Sequence, residues 1–175
     1  YLMKKTGIFY GPVGGSTETV ADLILNELGE DNAVQVLVKN AEIDDLKNYD
    51  KIIFGIATIG KETWDADHPN NDWDIFFPKL EDFDFTGKTV ALFGLGDSVS
   101  YAGYFVDAMG KLGKKLLDLN ANIVGQTSPD DYTFDESEAI VNGMFIGLPI
   151  DEDFEDHLTK ERVKNWIEAI RADIL

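Results

Sequence analysis

The feature that most constrains this chain is a set of short segments that are apolar almost from end to end. Between them lie stretches whose apolar residues fall on one helical face. Lys5–Tyr10 (KTGIFY), Ala33–Val38 (AVQVLV), Lys51–Ile56 (KIIFGI) and Thr89–Phe93 (TVALF) read as strands. Asn122–Gln126 (NIVGQ) begins a fifth strand, which Met144–Leu148 (MFIGL) completes after a polar insertion. A strand with one wet face alternates in polarity, whereas an unbroken apolar run is covered on both faces. Val20, Leu23, Ile24 and Leu28 repeat at helical spacing after Thr17, and Gly29 stops that helix. Phe105, Ala108, Met109, Leu112, Leu116 and Leu119 mark another, and Val163, Trp166, Ile167, Ile170 and Ile174 a last one with Thr159 as N-cap. Asp44–Tyr49 is a short helix or turn, and Trp73–Leu80 a short helix disturbed by Pro78. Strand and helix in alternation mean an α/β chain, here one doubly wound domain over residues 1–175 with a parallel sheet. Such sheets bind ligands beyond the carboxyl ends of their strands, at a topological switch point. The loops after strands one, three and four are therefore the ones to read for chemistry.

Several function classes fall away on composition. There is no Cys, which removes thiol catalysis, disulfides, iron–sulfur ligation and thiolate zinc sites. The two His, His68 and His157, are far apart and outside an HExxH spacing, so no metal site is expected. The formal charge of −18 repels phosphate backbones and anionic lipid, and favours basic protein partners. No apolar run reaches the roughly 18 residues of a membrane helix. Tyr1-Leu2-Met3 looks like a trimmed beginning, with no cleavable signal.

Gly11-Pro12-Val13-Gly14-Gly15-Ser16-Thr17 joins the first strand to a helix N-terminus, where unpaired amides and the helix dipole attract an anion. No Lys precedes Ser16 or Thr17, so this is not a triphosphate loop, and the GxGxxG spacing is absent. On these residues alone two readings stand level: a tight turn capped by Ser16 or Thr17, and a phosphate cradle. Gly96-Asp97-Ser98 spells the GDS of one esterase group, but in the wrong loop and without an Asp three residues before a His. A phosphoryl receiver would need acids after strands one and three, where Gly11-Pro12 and Ile56-Ala57 stand. The run Asp151-Glu152-Asp153 with Glu155 and Asp156 lacks EF-hand spacing and reads as a solvated acidic face.

GIFYG with its small, hydroxyl-bearing turn, FGLGDSVSYAGYF, and PDDYTFDESEAIVNGMFIGLPIDED together resemble the long-chain flavodoxins, in feel closest to algal members, over nearly the whole length. That resemblance implies a flavodoxin-like three-layer sandwich of strand order 2-1-3-4-5, with an insertion splitting the last strand. It also implies non-covalent FMN and one-electron transfer at low potential, with no substrate of its own. The family's phosphate loop reads Thr/Ser-x-Thr-Gly-x-Thr; Gly15 and Thr17 match it, Ser16 offers a substitute hydroxyl, and Pro12 and Gly14 replace two others. Residues Gly11 to Thr17 would thus hold the phosphate. Thr58, Ile59 and Gly60 match the loop that covers the inner flavin face, Gly60 giving the peptide freedom to turn its carbonyl toward flavin N5. Leu95, Gly96 and Asp97 match the pyrimidine edge and Tyr101 the outer stacking ring; where many relatives carry Asp and Asn this chain has Gly103 and Tyr104, and Tyr104 would add a further aromatic contact. Trp64 reads equally as surface decoration or flavin cover. The implied partners are basic redox proteins such as a ferredoxin–NADP reductase or photosystem I, met by a monomer in a bacterial cytoplasm or a plastid stroma. The alternative is a flavodoxin-fold interaction module whose FMN binding is weakened or lost.

Overall fold

In the computed structural model the residues described are 4–57, 72–99, 103 and 105–175. Their elements run β1 (Thr6–Gly11), α1 (Ser16–Leu28), β2 (Ala33–Leu37), β3 (Lys51–Ala57), α2 (Asp72–Lys79), β4 (Thr89–Leu95), α3 (Asp107–Asp118), β5 (Asn122–Val124), β6 (Ile140–Val141), β7 (Met144–Phe145), β8 (Leu148–Ile150) and α4 (Thr159–Ile174). The sheet order is β2-β1-β3-β4-β5, with every pair parallel, as the sequence predicts.

Neighbouring side chains of each strand enter different cores. Phe9, Ile52, Phe54, Val90 and Leu92 pack with α2 and α3. Ile8, Tyr10, Ile53, Ala91 and Phe93 pack with α1 and α4. This alternation between two covered faces is why the strands are apolar at every position. Burying a side chain of this size contributes roughly 1.5–3 kcal/mol, so the central strands β1, β3 and β4 anchor whatever their ends present.

The split of the last strand falls elsewhere than expected. β3 occupies one edge of β4 along its whole length, so β5 and β8 share the other, at Thr89–Ala91 and Phe93–Leu95 respectively. Leu148–Ile150 therefore completes the strand, not Met144–Leu148. Met144–Phe145 instead pairs antiparallel with Ile140–Val141. The reason is the turn between them: Asn142 and Gly143 both hold positive φ, 54° and 82°, the two-residue hairpin geometry that Asn-Gly favours. The insertion lies against α3. A Cβ on Gly110 would stand 2.6 Å from the Ala139 nitrogen, so glycine there admits close backbone approach.

Two smaller expectations are revised. α2 runs through Pro78, ending one residue later and passing into a single 3-10 turn at Leu80–Asp82. Thr159 does not cap α4: Leu158 holds that position, and the Thr159 hydroxyl donates to the Glu152 carboxylate at 2.7 Å. No helix among the described residues is long and apolar enough to cross a membrane.

Candidate functional site

Strand order reverses between β1 and β3, and beyond their carboxyl ends lies a cavity of about 220 Å³. Its lining comes from four crossings of the chain: Pro12, Ser16 and Thr17 after β1, Ala57 at the end of β3, Leu95, Gly96 and Asp97 at the end of β4, and Glu152 and Asp153 after β8. Three of these are the loops the sequence singles out.

The loop after β1 resolves one open choice. Gly15 occupies the N-cap of α1 with no side-chain cap, so neither Ser16 nor Thr17 caps the helix. Among the described residues the amides of residues 13–18 have no protein acceptor. The Thr17 side chain belongs to a residue only 2% exposed, lines the cavity, and likewise has no protein partner among the described residues. A buried hydroxyl without a partner costs about 1–3 kcal/mol unless something else satisfies it. Gly14 sits at φ +83°, and nothing lies within 4 Å of where a Cβ on Gly14 or Gly15 would be. Free amides, a free buried hydroxyl and a side-chain-free approach are the donor set a phosphate requires. The FMN phosphate therefore fits this loop, the loss of two hydroxyls at Pro12 and Gly14 notwithstanding. Gly11 itself is buried at the end of β1 beside Val38, and Val13 is exposed.

In the first turn of α1, Glu18 accepts from the Tyr10 hydroxyl at 3.3 Å. Burial, then Glu18, pushes the Tyr10 phenol up to about 12, so it remains a donor across the neutral range.

Leu95 is nearly buried, and the Gly96 amide donates to the Ile150 carbonyl at 2.9 Å, tying the exit of β4 to β8. Asp97 accepts the Val99 amide at 3.0 Å. Thr58, Ile59, Gly60, Trp64, Tyr101, Tyr104 and His68 lie outside the described residues.

The fourth crossing escaped the sequence reading. Asp151 is not part of a solvated acidic face: it is 0% exposed. One of its oxygens accepts the Ser98 hydroxyl at 2.6 Å and the Ser98 amide at 3.1 Å; the other accepts the amides of Asp153 at 3.0 Å and Phe154 at 2.9 Å. Burial would raise its carboxyl, but bonds from the Ser98 hydroxyl and the three amides hold it below the ordinary value. Asp153 is raised, by burial first and then by Asp97, Asp151 and Glu152. The missed signal was positional. Once Leu148–Ile150 is the strand, Asp151 stands at its carboxyl end, where ligand loops start. Among the described residues no group of His, Asp and Glu is arranged to hold a metal ion.

Comparison with known proteins agrees with this geometry. Residues 8–166 match the family model described as Flavodoxin. The flavodoxin of Synechocystis sp. is 44% identical over 170 residues, covering 97% of both chains. Flavodoxin 1 of Salmonella typhimurium is 40% identical over 173 residues, covering 98% of this chain and 96% of that one. The crystal structure of Fusobacterium nucleatum flavodoxin bound to flavin mononucleotide superposes with a TM-score of 0.87 at 33% identity, covering 99% of this chain and 100% of that one.

Proposed function

The chain belongs to the flavodoxin family, and on that footing we propose that it carries electrons singly on non-covalently held FMN, between redox proteins, without a substrate of its own. The observation that carries this is the Thr17 hydroxyl on the cavity wall, buried without a protein partner among the described residues, beside a run of amides that have no acceptor among them. When bound, FMN supplies the ring that accepts and releases electrons one at a time. The chain does the rest. Amides of residues 13–17 and the Thr17 hydroxyl hold the phosphate. The backbone of Leu95–Asp97 meets the pyrimidine edge. By their match to the family motif, Ile59 and Tyr101 would cover the two ring faces and keep water out, and Gly60 would leave its peptide free to turn a carbonyl toward flavin N5 as a hydrogen-bond acceptor. Tyr104 adds an aromatic contact. The rival reading, an interaction module without tight FMN, rests on Pro12 and Gly14 replacing two hydroxyls; the free donors around them speak against it.

The test is direct. Purified protein given FMN should bind it one to one and turn yellow, and anaerobic titration should show two separated one-electron steps. A chain that stays colourless in excess FMN, or one that takes two electrons in a single wave, would overturn the reading. The acidic surface suits basic partners such as a ferredoxin–NADP reductase or photosystem I, met through small, brief contacts. The proposal extends to a monomeric long-chain member forming one domain over residues 1–175, working in a bacterial cytoplasm or a plastid stroma.

A further inference from the structure

We propose that Asp151 is a positioning residue for the flavin, acting through Ser98 on the stretch Leu95–Asp97 that lines the cavity; this rests on the FMN reading above. The argument starts from cost. A carboxylate wholly removed from water loses hydration worth several kcal/mol unless donors replace it. Here four donors do so, and they come from two separate loops: Ser98 after β4, and Asp153 with Phe154 after β8. The Asp151 carbonyl also accepts the Glu155 amide at 3.1 Å. The two loops are joined at the strand ends by Gly96 to Ile150, and again by Ser98 to Asp151, two residues further along one loop and one along the other. Gly96 makes the first tie and Asp97 lies between the two, both on the cavity wall. The segment after β8 is itself fixed to α4, through Thr159 to Glu152 at 2.7 Å and Arg162 to Glu155 at 3.2 Å. Asp151 thus transmits the position of a rigid helix to the two cavity residues without itself lining the cavity.

A clamp on the ring side has a signature that a phosphate-loop defect lacks. It weakens FMN and its phosphate-free form, riboflavin, by the same factor. Fluorescence titration of the full chain with each flavin should therefore show a loss of roughly fivefold for Ser98→Ala, the share of one hydrogen bond to a charged acceptor that reaches the ligand. Asp151→Asn should lose roughly tenfold or more with both flavins, and Ser98→Thr, which keeps the hydroxyl, should restore most of the Ser98→Ala loss. In the apo chain, exchange of the Ser98 and Phe154 amides should quicken in Asp151→Asn. If Asp151→Asn does not fold, the Ser98 pair decides alone. Folded variants that bind both flavins as the unaltered chain does, or that weaken FMN while leaving riboflavin untouched, overturn the inference and leave the FMN reading standing. Failure of the unaltered chain to bind FMN overturns both.

Discussion

Thr17 and Asp151 are both buried polar side chains at the cavity end of the sheet, and they differ in what satisfies them. Thr17 has no protein partner among the described residues, whereas Asp151 has four. Replacing Thr17 by the isosteric Val removes the hydroxyl and keeps the shape. The apo chain should be at least as stable as before, with a gain of up to about 1–3 kcal/mol, because no internal bond is lost and an unpartnered buried hydroxyl is removed. FMN affinity should fall roughly tenfold while riboflavin affinity holds, read by flavin fluorescence titration. Asp151 predicts a pH effect instead. Its carboxyl lies below the ordinary 3.8 in the folded chain. Such a group contributes stability that is present above its unfolded value and lost as pH falls through the folded one. The stability gap between the unaltered apo chain and Asp151→Asn, from urea unfolding, should be constant near neutrality and close as pH drops below 3.8. A gap that widened on acidification would contradict the sign. Asp153, raised by burial and its acidic neighbours, works in the opposite sense.

At the scale of elements, the parallel strands were legible because both faces of each are covered, which leaves an unbroken apolar run. The insertion was harder to read. Met144–Leu148 is as apolar as any strand, and composition alone could not say which residues of it pair with β4. The Asn142-Gly143 pair held the answer, since a tight turn there forces Met144–Phe145 back on Ile140–Val141. That one displacement also hid Asp151, which reads as surface charge when the strand ends at Leu148 and as a strand-end residue when it ends at Ile150. The phosphate loop was legible as an anion site by its glycines, yet its helix cap was not, because Ser16 and Thr17 both suit the role and Gly15 takes it. Gly143→Ala places a side chain at φ +82° with no atom within 4 Å, so its cost is conformational, roughly 1–2 kcal/mol. Thermal or urea unfolding should register that loss. Flavin affinity should not move, since the residues flanking the hairpin pack on α3 and none of the hairpin lines the cavity.

For the whole molecule the dominant quantity is charge. Of the ion pairs among the described residues, Lys4–Asp50 and Lys47–Asp44 are well exposed, and such pairs do little to offset a formal −18. Acids concentrate at the cavity: Asp97, Glu152 and Asp153 line it, and the Asp153 carboxyl is raised by burial first and then by Asp97, Asp151 and Glu152. An electron added to a flavin in that field is repelled. A single carboxylate ~10 Å away in a water-like dielectric costs it about 0.4 kcal/mol, and several such groups add. Dissolved salt screens them, with a Debye length of about 10 Å at 0.1 M. The redox step that leaves the flavin negatively charged should therefore move to a more positive potential as sodium chloride rises from about 10 mM to about 500 mM, where screening shortens to a few ångströms. The step that adds an electron together with a proton leaves no net charge and should move much less. Association with a basic redox protein should slow over the same range, because the same field steers the encounter. Spectroelectrochemical titration and stopped-flow mixing measure the two effects on one sample. Equal shifts in both redox steps would mean that salt acts on the fold or on flavin binding, and the acidic field would lose its role in setting the potential.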